Sequence, residues 1–249
     1  MDLQLDGTVV LVTGASRGLG AAMALALARE GAQVVAVARS AGSLAEVAAD
    51  GGGRISTLAC DMRDDAAVAG LVEEVVARHG RIDGLINNAG IAPAGKFADQ
   101  DPAIWKDALQ VNVLAPMLLA QAAGVRMIAG GGGRIVNVAS TTGLRGKPHL
   151  VAYSTSKGAV VRFTEALAAE WAAKKVQVNC IAPGAFVTDA QKAVTESAEL
   201  LAKRVAKIPA GRMADPSEIV PLACLLVSPL SSFTTGAVFV VDGGEVGKL

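Results

Sequence analysis

What most constrains this chain is an alternation that runs from end to end, in which short runs of Val, Ile and Leu are each followed by a longer Ala-rich stretch of helical period. Thr8 to Thr13, Val34 to Ala38, Ile55 to Ala59, Leu85-Ile86, Arg134 to Val138, Val176 to Ala182 and Ala237 to Val241 predict seven strands. Helices are predicted up to about Glu30, over Leu44 to Ala49, over Asp65 to His79, and from Pro102 to Ala129 with Pro116 disturbing the middle. Further helices run from Tyr153 to about Ala173 and from Pro216 to Leu226, with an irregular and then helical insertion at 189–208. Apolar strands that alternate with helices imply a parallel sheet covered on both faces, and right-handed crossovers make it doubly wound. The expectation is one α/β domain over 1–249, with an inserted substrate lid near 185–213.

Composition supports a core of small aliphatic side chains. The hydrophobic fraction is 52% and the aromatic fraction only 3%, as helices packed on a Val/Ile-rich parallel sheet require. Lys+Arg and Asp+Glu are both 23, and no basic stripe stands out, which argues against nucleic acid or an anionic membrane as partner. Cys60, Cys180 and Cys224 are far apart and form no C-x-x-C, so buried reduced thiols are expected. The first residues lack the basic start and apolar stretch of a signal peptide. The longest apolar segment, Val111 to Ala129, is interrupted by Asn112, Pro116, Gln121 and Arg126 and reads as a core or interface helix. A cytoplasmic protein is expected, with no metal site.

The first strand leads into Gly14-Ala15-Ser16-Arg17-Gly18-Leu19-Gly20 and then a helix. Glycines at this spacing let the turn double back and let the backbone approach a pyrophosphate at the helix N-terminus. The spacing departs from G-x-G-x-x-G, and G-x-x-x-x-G-K-[ST] is absent, so a nucleoside triphosphatase is disfavoured. An NAD site usually places a carboxylate at the end of the second strand, on the ribose 2′-hydroxyl. Here that place is Ala38-Arg39-Ser40, with Arg17 as a second cation. Guanidinium groups suit a 2′-phosphate, so NADP is expected over NAD.

Tyr153 and Lys157 are i and i+4 and share one helix face. An ammonium close to a phenol favours the phenolate and would bring the tyrosine toward working pH as an acid or base. Ser140 leaves the fifth strand at the same end of the sheet. Hydride transfer to a carbonyl builds charge on oxygen, and these two hydroxyls supply the proton donor and the stabilising donor.

Thr13-Gly14-Ala15-Ser16-Arg17-Gly18-Leu19-Gly20, Asn87-Asn88-Ala89-Gly90, Asn112, Ser140, Tyr153-x-x-x-Lys157 and Pro183-Gly184 stand in an order and spacing that resembles the short-chain dehydrogenases/reductases over essentially the whole chain. The resemblance implies a Rossmann-fold oxidoreductase moving hydride between NADP(H) and a ketone/secondary alcohol pair. Tyr153 would be the acid/base and Ser140 would polarise the carbonyl. Lys157 would hold the nicotinamide ribose and lower the tyrosine's proton affinity, and Asn112 would support a relay water. By the same resemblance the cofactor would meet Gly14, Ser16, Arg17, Gly18, Leu19, Gly20, Arg39, Ser40, Asp61, Met62, Asn88, Ala89, Gly90, Pro183, Gly184, Val187 and Thr188, as well as Tyr153 and Lys157.

Ile91 to Phe97 and Ala185 to about Lys207 bound the substrate space, the second as a mobile lid. Neither loop shows a tight arginine cluster, and Arg145, Lys147 and His149 read as an exposed loop. The substrate is read as a small or medium carbonyl compound. The pattern is similar to 3-oxoacyl-carrier-protein reductases, the leading reading, and also to gluconate-type sugar-acid dehydrogenases. The rival of another class is a non-catalytic dinucleotide-binding scaffold, which has no need of Ser140, Tyr153 and Lys157 together. Helices after Pro102 and Tyr153 are apolar beyond one face, which suggests helix-on-helix subunit packing, and the resemblance implies a homotetramer.

Overall fold

The structure, a computed structural model, describes residues 1–247. Seven strands form one parallel sheet, β1 (Val9–Thr13), β2 (Gln33–Ala38), β3 (Ile55–Ala59), β4 (Gly84–Asn87), β5 (Gly133–Val138), β6 (Val176–Pro183) and β7 (Val238–Val241), in the order 3-2-1-4-5-6-7. The chain reverses direction across the sheet between β1 and β4, which opens a crevice at the carboxyl ends of those strands.

Side chains alternate along each strand and load both faces. Val10 and Val12 of β1, with Val34, Ala36, Ile86 and Val136, pack under α1 (Gly18–Arg29), α2 (Ala41–Asp50) and the late C-terminal helix Val220–Val227. Val9 and Leu11, with Val35, Leu85 and Ile135, pack under α3 (Asp65–His79), the long helical stretch Pro102–Ala129, and the helix that begins at Val151. Leu27 and Met23 of α1, and Leu71 and Val72 of α3, are fully or nearly fully buried, each contributing about 1.5–3 kcal/mol through removal from water. All three cysteines are free and buried.

The stretch from Pro102 is long and apolar enough to cross a membrane by composition, yet half of its most apolar window is buried inside the protein. It is broken where the sequence suggested. α4 (Pro102–Leu109) passes through a π-turn at Gln110–Leu114 into α5 (Ala115–Ala129). Pro116 has no N–H for the carbonyl of Asn112, and the widened turn, closed by Ala115 N–H on the Gln110 carbonyl, absorbs that gap.

After β5 comes a one-turn helix, α6 (Thr141–Leu144), too short for sequence periodicity to reveal, and then α7 (Val151–Trp171), which starts two residues before Tyr153. Between β6 and β7 the insertion is a 3-10 turn at Asp189–Gln191, α8 (Lys192–Thr195) and α9 (Ala198–Val205), followed by α10 (Val220–Val227). α8 and α9 bury none of their own residues fully, and the insertion rests on a small cluster of Ala185, Ile208 and Met213. Such a thin contact is the low-stability end of a fold.

Candidate functional site

The glycine turn and the end of β4 are built as one unit. Thr13 Oγ1 accepts hydrogen bonds from the backbone N–H groups of Asn88 and Ala89, at 3.0 and 3.1 Å. Asn88 Nδ2 answers by donating to the carbonyls of Thr13 and Gly14, at 3.0 and 3.2 Å. Gly14 has φ +66, and a Cβ on Gly20 would sit 2.2 Å from the Gly14 carbonyl oxygen, so neither position has room for a side chain. Thr13 is a site residue that the sequence reading kept only as part of a motif, because its role lies in a contact with residues 75 and 76 positions away.

The N-terminus of α1 fits a pyrophosphate. α2, α3 and α4 carry side-chain caps from Ser40, Asp64 and Asp101, whereas α1 starts after Arg17 with no side-chain cap and no acidic residue in its first turn. Its first N–H groups and dipole are therefore open to an anion. A Cβ on Gly18 would touch Thr188 at 3.4 Å, and Arg17 pairs loosely with Asp189 at 3.9 Å. Arg17 thus leans toward the insertion that follows β6. Arg39 is exposed at the end of β2 and helps lower Asp61, which its ion pair with Arg63 holds at about 2. Ser40 caps α2 through the Ser43 N–H at 3.4 Å, and Met62 is buried below the rim. No carboxylate occupies Ala38-Arg39-Ser40.

Across the crevice, Ser140 caps α6. Its Oγ accepts from Thr142 N at 3.2 Å and from Thr142 Oγ1 at 3.1 Å, which leaves its own proton free to donate. A Cβ on Gly143 would lie 2.6 Å from the Lys157 backbone carbonyl carbon, so this glycine lets the Ser140 turn press against the Tyr153–Lys157 helix. Thr142 and Gly143 complete the site, and sequence reasoning passed over both.

Lys157 is only 4% exposed, donates to the Val138 carbonyl at 2.8 Å, and lies 5.9 Å from the centroid of the Tyr153 ring. The lowered phenol expected from the Tyr–Lys spacing is not what the structure holds. Burial pushes Tyr153 above its ordinary value, with the Ser140 hydroxyl acting the other way. Burial also brings the Lys157 ammonium down to about 8, against a smaller opposing effect of Cys180. Burial is the largest effect on each group, and at this separation neither is shifted by the other.

Asn112 is buried with its amide committed. Oδ1 accepts from Ile91 N at 2.9 Å, and Nδ2 donates to the Ile91 carbonyl and to Ser156 Oγ, both at 2.9 Å. Gly90 borders this network, since a Cβ there would lie 3.2 Å from Asn112 Oδ1 and 3.4 Å from Lys157 Nζ. Pro183 ends β6, and a Cβ on Gly184 would lie 2.6 Å from the Asp242 Cβ, so the turn after β6 packs against the residue that follows β7. Val187 is exposed, its N–H held by the Ala214 carbonyl at 2.8 Å. The structure therefore brings Ser140, Tyr153, Lys157 and Asn112 to one end of the sheet, facing the glycine turn across the crevice.

Residues 14–245 match the family described as enoyl-(acyl carrier protein) reductase. D-threitol dehydrogenase of Mycolicibacterium smegmatis is 41% identical over 98% of this chain and 94% of its own. A 3-oxoacyl-[acyl-carrier-protein] reductase of Thermotoga maritima is 34% identical over 98% of this chain and 100% of its own. The crystal structure of a gluconate 5-dehydrogenase from Burkholderia cenocepacia, in complex with NADP and tartrate, superposes with a TM-score of 0.94 at 33% identity, covering 100% of this chain and 98% of that one. These relatives match over nearly their full length and differ in the substrate named for them. Relatedness over nearly the full length, joined to the arrangement of Ser140, Tyr153 and Lys157, makes this chain a member of the short-chain dehydrogenase/reductase family of oxidoreductases.

Proposed function

We propose that the protein is an NADP(H)-dependent dehydrogenase of a polyhydroxy secondary alcohol, a polyol or sugar acid, working reversibly with the corresponding ketone. The observation that carries the chemistry is the paired donors: Ser140 with its proton free, and Tyr153 at the head of α7 above the buried Lys157. NADP+, when bound, would supply the hydride acceptor for the carbinol carbon. In the ketone-reducing direction Tyr153, held protonated by burial, gives its proton to the oxygen as the new C–H bond forms, and the phenolate left behind takes the hydroxyl proton back in the reverse direction. Ser140 donates to the same oxygen and stabilises its charge.

Lys157 holds the nicotinamide ribose with donors that Val138 does not take. Since the Asn112 amide is committed to Ile91 and Ser156, the relay water falls to its main-chain carbonyl, for which Pro116 has no N–H. Gly14, Ser16, Gly18, Leu19 and Gly20 cradle the pyrophosphate. Arg39, with Arg17 once freed from Asp189, meets the 2′-phosphate, while Asp61 and Met62 meet the adenine. Ala89, Gly90, Pro183, Gly184, Val187 and Thr188 line the nicotinamide half.

The polyol and sugar-acid reading is supported by the 41% identity to a threitol dehydrogenase and by the likeness to a gluconate 5-dehydrogenase bound to NADP and tartrate. Reduction of a 3-oxoacyl thioester is the second reading. It is favoured by the Thermotoga maritima relative and by the exposed side chains of Leu144, Val151 and Val187 on the Ser140 turn, the head of α7 and the lid. Initial rates across polyols, sugar acids and 3-oxoacyl thioesters, with NADP+ or NADPH, test the reading. Turnover of thioesters alone would refute it, and cofactor binding without any turnover would favour a non-catalytic scaffold. Tyr153→Phe is expected to keep cofactor binding and lose about 10²–10⁴ in rate.

We also propose a homo-oligomer, a tetramer by its resemblance to the family. A groove of about 460 Å³ between α5 and α7, lined by Leu114, Met117, Leu118, Phe163, Leu167 and Trp171, supports helix-on-helix packing. Sedimentation at a mass of 25.1 kDa, that of one chain, would refute it.

A further inference from the structure

We propose that Ser156 is a positioning residue for the reaction: its hydroxyl joins Asn112 to the turn that carries Tyr153 and Lys157, and so keeps phenol, ammonium and Asn112 in register. This rests on the acid–base reading of Tyr153 above and deepens it.

Three hydroxyls stand between Tyr153 and Lys157, and they face different surroundings. Ser154 Oγ accepts from Lys147 N at 3.4 Å, and Thr155 is exposed. Ser156 is fully buried. Its Oγ accepts from Asn112 Nδ2 at 2.9 Å and donates to the Tyr153 carbonyl at 2.7 Å. A hydroxyl has one proton, so donation to that carbonyl fixes its direction. Asn112 is held on its other side by Ile91, whose N–H donates to Oδ1 and whose carbonyl accepts from Nδ2, both at 2.9 Å. One chain of bonds therefore runs from the segment after β4, through the π-turn, to the first turn of α7.

That chain brackets the groups that handle the proton. Lys157 follows Ser156 directly, and Gly90 precedes Ile91, where a Cβ would lie 3.4 Å from Lys157 Nζ and 3.2 Å from Asn112 Oδ1. Without the Ser156 hydroxyl, one amide proton of Asn112, a residue only 1% exposed, loses its partner. A buried donor left unpaired is costly, so the amide turns or draws in water, and the turn of Tyr153 is released from it.

The same helix supplies a counterpart that separates positioning from stability. Thr164 is also fully buried; its Oγ1 accepts from Asn137 Nδ2 at 3.0 Å and donates to the Val160 carbonyl at 2.8 Å. It repeats the bonding of Ser156 about 12 Å further along the helix axis, away from Tyr153.

The test sets Ser156→Ala against Thr164→Val in the intact enzyme. Tyr153 is the single tyrosine, so ultraviolet absorbance reads its ionisation whichever alcohol the enzyme takes. Both variants should melt below wild type. Ser156→Ala alone should bring the tyrosine midpoint down toward its ordinary value, as water reaches the loosened turn. It should also lower kcat with NADP+ and D-threitol or gluconate about tenfold, with KM and NADPH affinity little changed. Ser156→Cys, a weaker donor and acceptor of similar shape, should fall between alanine and wild type, and it reads the same quantities where the alanine variant does not fold. A tyrosine midpoint unmoved in Ser156→Ala, an equal movement in Thr164→Val, or wild-type kcat in Ser156→Ala would overturn the role and leave the acid–base reading standing. Near-normal turnover in Tyr153→Phe would instead remove the reading on which the role depends.

Discussion

Replacing Lys157 by Met should stabilise the fold while abolishing turnover. The ammonium is buried, and its proton affinity has fallen from 10.5 to about 8, which costs the native state about 3 kcal/mol at neutral pH. Met fills a similar volume without a charge. The Val138 carbonyl, which accepts from Nζ at 2.8 Å, then loses a partner, at a cost of about 1–2 kcal/mol. The balance is a gain of about 1–2 kcal/mol, or about 3–6 °C in melting temperature for a chain of this size. The sign has a pH signature. Below pH 8 both native and unfolded lysine are charged and the wild type carries the full penalty. Between 8 and 10.5 the native amine is neutral while the unfolded one is still charged, so the penalty fades as pH rises. Thermal melts without cofactor, at about pH 7 and about pH 9.5, should therefore show the variant above wild type at the lower pH and the gap closing at the higher. A variant that melts several degrees below wild type at pH 7, or a gap that ignores pH, would refute the reasoning.

Tyr153 is the chain's single tyrosine, so its ionisation can be followed directly by ultraviolet absorbance; without cofactor it should titrate above its ordinary value near 10, and a midpoint below 10 would overturn the burial argument. Thr142→Val removes the hydroxyl that donates to Ser140 and should lower kcat by up to about tenfold, with Thr142→Ser restoring it; wild-type rates in the Val variant would show that Ser140 needs no such orientation. Arg39→Ala should weaken NADPH binding about tenfold or more by fluorescence titration and leave NADH little changed, and a wild type that prefers NADH would sink the assignment of this arginine to the 2′-phosphate.

Where the period of the sequence was long and its punctuation strong, the chain could be read directly. The helix predicted over Asp65 to His79 is found with those bounds, capped by Asp64 and stopped by Gly80 in the left-handed region, because cap, apolar face and glycine all act within one segment. Pro116 announced a break in its helix, but only the folded chain shows that the break takes the form of a π-turn at Gln110–Leu114. α6 was invisible, since four residues carry no periodicity. Contacts that join distant segments were invisible for the same reason: Thr13 on Asn88, Gly143 against Lys157.

The electrostatics of the site belonged entirely to the tertiary structure. Spacing placed Tyr153 and Lys157 on one helix face, and so the sequence by itself determined which groups meet, along with the alternation that makes a doubly wound sheet and the glycines that leave its first turn open. Which way their proton affinities move was decided by burial, because a local pattern fixes neighbours along a helix but not how much water remains around them. The lysine points to Val138, desolvation is the largest effect on each group, and the phenol rises where the i, i+4 spacing alone had implied that it would fall.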